Sequence, residues 1–345
     1  MAISETQETT SDVHRGGLAR IVGISIILAM GLAVVMVLAL AWGSTGEHLV
    51  HVIKAMLSGQ LEKTVHWTII WQIRLPRVLL AAAVGATLGV GGLVFQALLR
   101  NPLAEPYILG VSGGSAVGAV LGMMLGLRFF PGVAGLAFAG SLTTLALVLV
   151  LTSKRRLAQE NSLLLAGVMV NAFCSAIITF LISITEHTKL QGILFWLMGD
   201  LSSADIVQVG GLFALLVPSF ILVFVLARPM NLLQFGRDAA YSLGVNVQAV
   251  TSVLLVVTSL MVSASVCLVG LVGFVGLVIP HLLRLLLGSD HRLLVVACVL
   301  GGAMFMTGCD LLARLASAQG QLPVGVVTAL IGAPAFIALL ARSKT

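Results

Sequence analysis

Two arginines three residues apart are the first side chains in this sequence that could do specific chemistry. Arg74 and Arg77 lie in the segment WQIRLPRVLL (residues 71–80), and on a helix they share one face. Pro76 suits the first turn of such a helix, where its missing N–H costs no hydrogen bond. Two guanidinium groups on one face can bind carboxylates of a partner protein. The alternative is that both side chains only reach from a membrane helix to the water interface.

Nothing in the sequence has the spacing of a catalytic or metal site. There is no CxxC or HExxH motif, and without a GK dipeptide there is no GxxxxGK[ST] phosphate loop. We therefore expect no enzyme activity, no cofactor and no metal site. The four cysteines lie in apolar runs and are expected to be core residues: Cys174, Cys267, Cys298 and Cys309. Four histidines fall in predicted loops, with haem ligation as a weaker alternative to ordinary surface roles: His48, His51, His66 and His187.

Composition decides which solvent surrounds the elements that carry these residues. Hydrophobic residues make up 59% of the chain and charged residues 9%, which is too little charge to cover a water-exposed surface. Lipid must therefore surround most of it. The net charge of +6 comes from scattered basic residues, without a basic face, so we expect no nucleic-acid partner.

About ten stretches are apolar and long enough to cross a bilayer as helices, which predicts an all-α polytopic membrane protein. The stretch 239–283 has no charged residue and is too long for one crossing, so we expect it to fold back near Gly270, Gly273 and Gly276. Residues 1–17 form a polar tail, and residues 18–345 form a single membrane domain. The crossings lie near 21–42, 78–99, 106–127, 129–153, 161–185, 206–227, 239–283 (two), 293–313 and 322–341.

Lysine and arginine placement predicts the orientation of these crossings. With the N-terminus inside, 12 of the 19 basic residues fall on the cytoplasmic side, as the positive-inside rule requires. An even number of crossings then places both termini in the cytoplasm.

Glycines repeat every fourth residue from Gly110 to Gly122, and again at Gly85 and Gly89, which favours close helix packing.

Two further segments interrupt the apolar pattern. Residues 100–119, RNPLAEPYILGVSGGSAVGA, contain Pro102 and Pro106, so the backbone must leave the helix here and form a gate, a hinge or a plain loop. Residues 228–245, RPMNLLQFGRDAAYSLGV, are interpreted as one short amphipathic cytoplasmic helix that contacts a protein partner.

Five segments in order resemble the FecCD family of ABC-importer permeases, from about Leu18 to Leu340. They are RLPR, NPLAEPYILGVSGG, RPMNLLQFGRDAAYSLGV, GFVGLVIPHLLR and LPVGVVTALIGAPAFIALL. The resemblance implies an ABC type II importer permease of ten helices in the bacterial inner membrane. It also implies import of an iron–siderophore complex, haem or cobalamin from periplasm to cytoplasm, with the choice among these cargoes open.

The resemblance implies three kinds of partner: a second copy of the chain, two cytoplasmic ATPase subunits and a periplasmic binding protein. By this resemblance, the residues that dock the binding protein are Arg74, Arg77 and Arg314, and Asp310 holds the side chain of Arg314. The resemblance also implies that the contact with the ATPase is made by six residues: Asn231, Leu232, Gly236, Asp238, Leu243 and Gly244. The resemblance places the cytoplasmic gate at Asn101, Leu103, Glu160 and Asn161. The last two differ from the small hydroxyl residues that some relatives have there. The fifth, eighth and tenth helices are expected to line the path.

Two alternatives remain open from the residues alone. An ion-coupled secondary transporter of small solutes needs ionisable residues near the middle of the bilayer, and the acidic residues here fall near helix ends or in loops. A membrane-embedded enzyme needs a catalytic cluster, and the sequence contains none of the usual motifs.

Overall fold

The computed structural model describes residues 2–42, 69–153, 160–316 and 322–342, and within these ranges it contains helices and connecting turns without β-strands. Short π-helical or 3-10 segments lie at Ile69–Arg74, Pro106–Leu109 and Phe129–Val133. The α-helices are α1 (Ala2–Ala41), α2 (Leu75–Leu98), α3 (Val111–Met124), α4 (Ala134–Ser153), α5 (Glu160–Ser183), α6 (His187–Leu197), α7 (Ile206–Val225), α8 (Ala227–Leu233), α9 (Arg237–Ser242), α10 (Val247–Val269), α11 (Val275–Leu287), α12 (His291–Ala316) and α13 (Val324–Arg342).

Ten of these helices correspond to the predicted crossings. Seven spans are long and apolar enough to cross a bilayer, and three shorter apolar helices (α3, α11 and α13) complete the set within the described ranges. The all-α polytopic fold is therefore confirmed. The short helices α6, α8 and α9 were not predicted as separate elements, because each is too short to show a clear hydrophobic period.

Contacts between helix ends define two faces of the bundle. Arg20, in the first half of α1, donates to the carbonyl of Leu287 at the end of α11 (3.0 Å), which places both on one face. We call this the N-terminal face. At the other end of α1, Ala39 accepts a hydrogen bond from Arg314 near the end of α12 (2.9 Å). We call that side the opposite face.

Helices α2 and α12 form the buried centre of the bundle. Gly85 and Gly302 face each other so closely that a Cβ on either would come within 2.3 Å of the other's carbonyl oxygen. Gly89 is packed against Cys298 in the same way, one turn further along. The predicted packing role of Gly85 and Gly89 is confirmed, because only hydrogen at these positions allows the two backbones to approach.

The second glycine run packs α3 on α4. A Cβ on Gly114 would lie 2.4 Å from the carbonyl oxygen of Gly140, and one on Gly118 would lie 2.1 Å from that of Leu136. Gly110 does not belong to this groove, contrary to expectation. It has φ +74° and ends the 3-10 turn before α3, a backbone conformation that glycine adopts without steric cost.

The long charge-free stretch folds back where the sequence predicted. Helix α10 ends at Val269, and α11 begins at Val275 after a turn in which Gly270 has φ +80°. Gly276 is not in the turn; it lies within α11, where a Cβ would meet Pro106 and the carbonyl of Leu88. That contact lies roughly 20 Å along α2 from its start. The N-terminal end of α11 therefore lies well inside the bundle.

Candidate functional site

On the opposite face, an arginine cluster surrounds one carboxylate. We use this name for Arg74, Arg77 and Arg314 together with Asp310. Asp310 is fully buried; one carboxylate oxygen accepts from Arg77 Nε at 2.8 Å and the other lies 3.0 Å from Arg314 Nε. The predicted ion pair between Arg314 and Asp310, which lies one turn earlier on α12, is therefore present. The pairing with Arg77, 233 residues away in the sequence, was not predicted.

The same arginines cap the end of α1. Arg74 Nη1 donates to the carbonyl of Leu40 at 2.8 Å, and Arg314 Nη1 donates to that of Ala39 at 2.9 Å. The last carbonyls of a helix have no intrahelical partner and carry partial negative charge, so cations bind there favourably. Arg74 and Arg314 are consequently buried, while Arg77 is partly exposed. The three side chains thus already have contacts within the chain.

The coupling segment (residues 228–245) lies on the N-terminal face and differs from the expected single helix. It contains all of α8 except its first residue and the whole of α9, and the two helices are separated by Gly236 with φ +115°. A side chain at that φ would be strained, so the chain turns here rather than continuing the helix. Gly244, with φ +84°, follows α9. Gly236 and Gly244 therefore bound α9 alone.

Apolar side chains of the coupling segment point away from the protein. Phe235, Tyr241 and Leu243 are 78%, 76% and 64% exposed. Leu232 is half-buried and Asp238 is exposed. The sequence analysis singled out Leu243 but not Phe235 or Tyr241 as contacts to a partner. Exposed aromatic side chains on a water-facing segment are typical of a protein contact.

The predicted gate residues lie in two segments, the irregular segment after α2 and the first turn of α5. Asn101 Oδ1 accepts from the backbone N–H of Leu103 at 2.9 Å, which closes a tight side-chain turn, and Leu103 is exposed. Glu160 and Asn161 form the first turn of α5, and the structure describes their backbone alone. Helix α5 packs on the same segment, since a Cβ on Gly167 would lie 2.0 Å from the carbonyl oxygen of Ile108.

Tyr107 is a residue that the sequence analysis missed. Its hydroxyl donates to the carbonyl of Val272 at 3.0 Å and accepts from the N–H of the same residue at 3.1 Å. It therefore satisfies both backbone groups of a residue in the turn between α10 and α11. The position of a tyrosine directly after the EP break was the available signal.

A cavity of about 490 Å³ opens between the end of α6, the α10–α11 turn and the start of α13. Its lining is apolar side chains and glycine, including Met198, Leu271 and Leu330. Such a wall offers few groups that could hold a polar solute tightly.

Among the described residues, no group of three or more His, Cys, Asp or Glu side chains could hold a metal ion. All four cysteines are buried with free thiols. His187 begins α6 on the surface. The predictions for His48, His51 and His66 lie outside the described residues.

Comparison with known proteins assigns this arrangement to a family. The FecCD transport family model matches residues 31–342. A Klebsiella pneumoniae protein named vitamin B12 import system permease protein BtuC is 40% identical over 323 residues, 93% of each chain. A Salmonella arizonae protein of the same name is 44% identical over 276 residues, 79% of this chain and 83% of that protein.

Solved structures show the same architecture. An inward-facing structure assigned to the metal-chelate type of ABC transporter superposes with a TM-score of 0.82 at 32% identity, over 93% of this chain and 99% of that one. PsaBC from Streptococcus pneumoniae shares the fold at lower similarity, with a TM-score of 0.56 and 17% identity over 83% of this chain and 95% of that one. The chain belongs to the FecCD transport family and is a multi-pass inner-membrane permease of the ABC-importer type.

Proposed function

We propose that this permease imports a corrinoid of the vitamin B12 class, in preference to haem or an iron–siderophore complex. The observation that carries the proposal is the 40–44% identity to proteins named as vitamin B12 import permeases, over most of both chains. A corrinoid is a bulky, neutral to weakly charged metal chelate. The apolar cavity of about 490 Å³ beside the α10–α11 turn suits part of a path for such a solute, since weak contacts allow release.

We propose that ATP is hydrolysed on separate cytoplasmic subunits that bind the coupling segment. The exposed side chains of Phe235, Tyr241 and Leu243 support this, because a partner that covers them removes apolar surface from water. Positive charge also supports a cytoplasmic position for the N-terminal face, which places both termini inside. A second copy of the chain would provide the other wall of the path.

We propose that the arginine cluster receives acidic side chains of a periplasmic binding protein. Arg77 is the principal contact, because Arg74 and Arg314 are buried and hold the end of α1.

We propose that the cytoplasmic gate is formed by Asn101 and Leu103 together with Glu160 and Asn161 at the start of α5. The packing of α5 on the irregular segment after α2 supports this proposal, because it joins the two segments that carry these residues.

The cargo is tested by the ATPase activity of the assembled transporter. The permease, its ATPase and its binding protein are reconstituted in lipid, and cobalamin, haem and a ferric siderophore are compared as stimulants. We expect cobalamin to stimulate hydrolysis most strongly at equal concentration. Stimulation by haem or the siderophore alone would overturn the corrinoid assignment while leaving the family membership intact.

A further inference from the structure

A polar network around one buried histidine joins the coupling segment to the first residue of α12. His291 is 1% exposed, and its backbone N–H donates to Asn231 Oδ1 at 2.8 Å. Its ring Nδ1 lies 2.8 Å from both Asn231 Oδ1 and Gln234 Nε2, so it donates to one or accepts from the other according to its tautomer. We call Asn231, Gln234, Asp290 and His291 the Asn231 network.

Two more hydrogen bonds strengthen the same junction. Asn231 Nδ2 donates to Asp290 Oδ1 at 2.7 Å, and Gln234 Nε2 donates to the carbonyl of Ser289 at 3.1 Å. Asp290 also accepts from the backbone N–H of Arg292, as an N-cap residue of α12 does. Several hydrogen bonds between segments almost 60 residues apart favour one orientation of α8 relative to α12. The buried ring of His291 adds to this preference, because a buried polar group left unpaired is costly.

Helix α12 connects this junction to the arginine cluster. It is continuous over His291–Ala316, roughly 39 Å long, and carries Asp310 and Arg314 near its other end. Along its length it is packed against α2 at the Gly85–Gly302 and Gly89–Cys298 contacts, where no side chain separates the helices. A shift of the outer end of α12 therefore moves its cytoplasmic end as well.

We infer that His291, through Asn231 and Gln234, is a positioning residue that fastens the coupling segment to α12. This fastening links binding-protein docking at one end of the helix to ATP hydrolysis at the other. The inference rests on the proposed functions of the arginine cluster and the coupling segment, and it adds the element that connects them. It also assigns Asn231 a role within the chain rather than at the surface of the ATPase.

The burial of His291 makes the inference testable, because a residue that is 1% exposed cannot contact the ATPase directly. His291→Leu removes the ring nitrogen at similar volume, whereas His291→Asn places a polar group near the position of Nδ1. Gln234→Ala weakens the network from the other side. Gln248→Ala is the matched control, since Gln248 is exposed on α10 and makes no side-chain hydrogen bond among the described residues.

The measurements use the reconstituted complex of permease, ATPase and binding protein. Assembly is checked by co-purification, and the readouts are basal hydrolysis, hydrolysis stimulated by loaded binding protein, and cargo moved per ATP. We expect His291→Leu to assemble and keep basal hydrolysis but to lose at least about fivefold in stimulation and in cargo per ATP, roughly 1 kcal/mol of coupling. His291→Asn should recover most of the loss, and Gln234→Ala should show a smaller one.

The outcomes separate this inference from the proposed function. Wild-type-like stimulation and cargo per ATP in His291→Leu would overturn the inference alone. Equal losses in His291→Leu and His291→Asn with normal assembly would also overturn it, because hydrogen bonding would then not be the cause. If His291→Leu fails to assemble, an unaltered response of Gln234→Ala contradicts the inference. A wild-type complex that neither hydrolyses ATP nor moves cargo would instead contradict the proposed function.

Discussion

At the residue scale, the charged side chains of the arginine cluster bind one another and the end of α1 within the chain itself. Asp310 has two guanidinium groups within 3.0 Å and no exposed surface, and the arginines around it hold the end of α1. The sequence predicted the pair of Asp310 and Arg314 from their spacing of four. It did not predict the pair with Arg77, because contacts between distant helices leave no local pattern.

Asp310→Asn should lower stability markedly. The substitution leaves the guanidiniums of Arg77 and Arg314 without a balancing charge in a buried site, a loss of about 3 kcal/mol. The apparent unfolding midpoint in detergent, at a fixed scan rate, measures it. Asp205→Asn is the control: Asp205 caps α7 through the N–H of Val207, and asparagine caps equally well. Equal midpoints for the two variants would show that the cluster contributes nothing to stability.

Arg77→Glu should weaken docking of the binding protein by at least about tenfold, because it replaces the most accessible cation of the cluster with a charge that repels acidic residues. Surface plasmon resonance with the reconstituted permease gives the affinity. Arg128→Glu makes the same charge change at an exposed position outside the cluster. A matching loss in Arg128→Glu would indicate general electrostatic attraction instead of a specific site.

At the element scale, glycine and proline positions explain most of what sequence reasoning predicted correctly. Gly270 marks the fold-back of the 239–283 stretch, and Gly85 and Gly89 mark the contact of α2 with α12. The division of the coupling segment into α8 and α9 was missed. Its pattern of Leu232, Leu233 and Phe235 fits one helix, and only the positive φ of Gly236 ends it. Tyr107 was missed because its position after the EP break does not show that its hydroxyl bonds to a turn 165 residues away.

Gly302→Ala should disrupt the α2–α12 pair. The new Cβ would lie 2.3 Å from the carbonyl oxygen of Gly85, so the helices must separate, with a loss of about 1–3 kcal/mol. Gly308→Ala is matched, being on the same helix with nothing within 4 Å of the added Cβ. Unfolding midpoints of the two variants compare them. An equally stable Gly302→Ala variant would mean that the backbones do not approach this closely.

Leu243→Glu should uncouple ATP hydrolysis from transport. It places a charge in the apolar surface formed with Phe235 and Tyr241, where a partner would have to desolvate it. The ratio of cargo moved to ATP hydrolysed should fall at least about fivefold, with permease abundance in the membrane unchanged. A normal ratio in this variant would identify the segment as an ordinary connecting loop.

At the scale of the whole molecule, we propose that the helices form a passive conduit whose motion is supplied by a separate ATPase. The apolar composition predicted the ten crossings, and the family relationship confirms the type of machine. The sequence contains no P-loop, and the described residues contain no metal cluster. The similarity to ABC-importer permeases favours a permease driven by a separate ATPase over an ion-coupled transporter. Cargo choice was not predictable from sequence patterns, because an apolar path is built from residues that every membrane helix uses.

Uptake of cobalamin into proteoliposomes tests the account most directly. Vesicles carry the permease with or without its ATPase subunits, with ATP on the cytoplasmic side and loaded binding protein on the other. We predict uptake that requires the ATPase, ATP and the binding protein together, and that persists when proton and sodium gradients are collapsed. Uptake by the permease alone, driven by an ion gradient, would contradict the account.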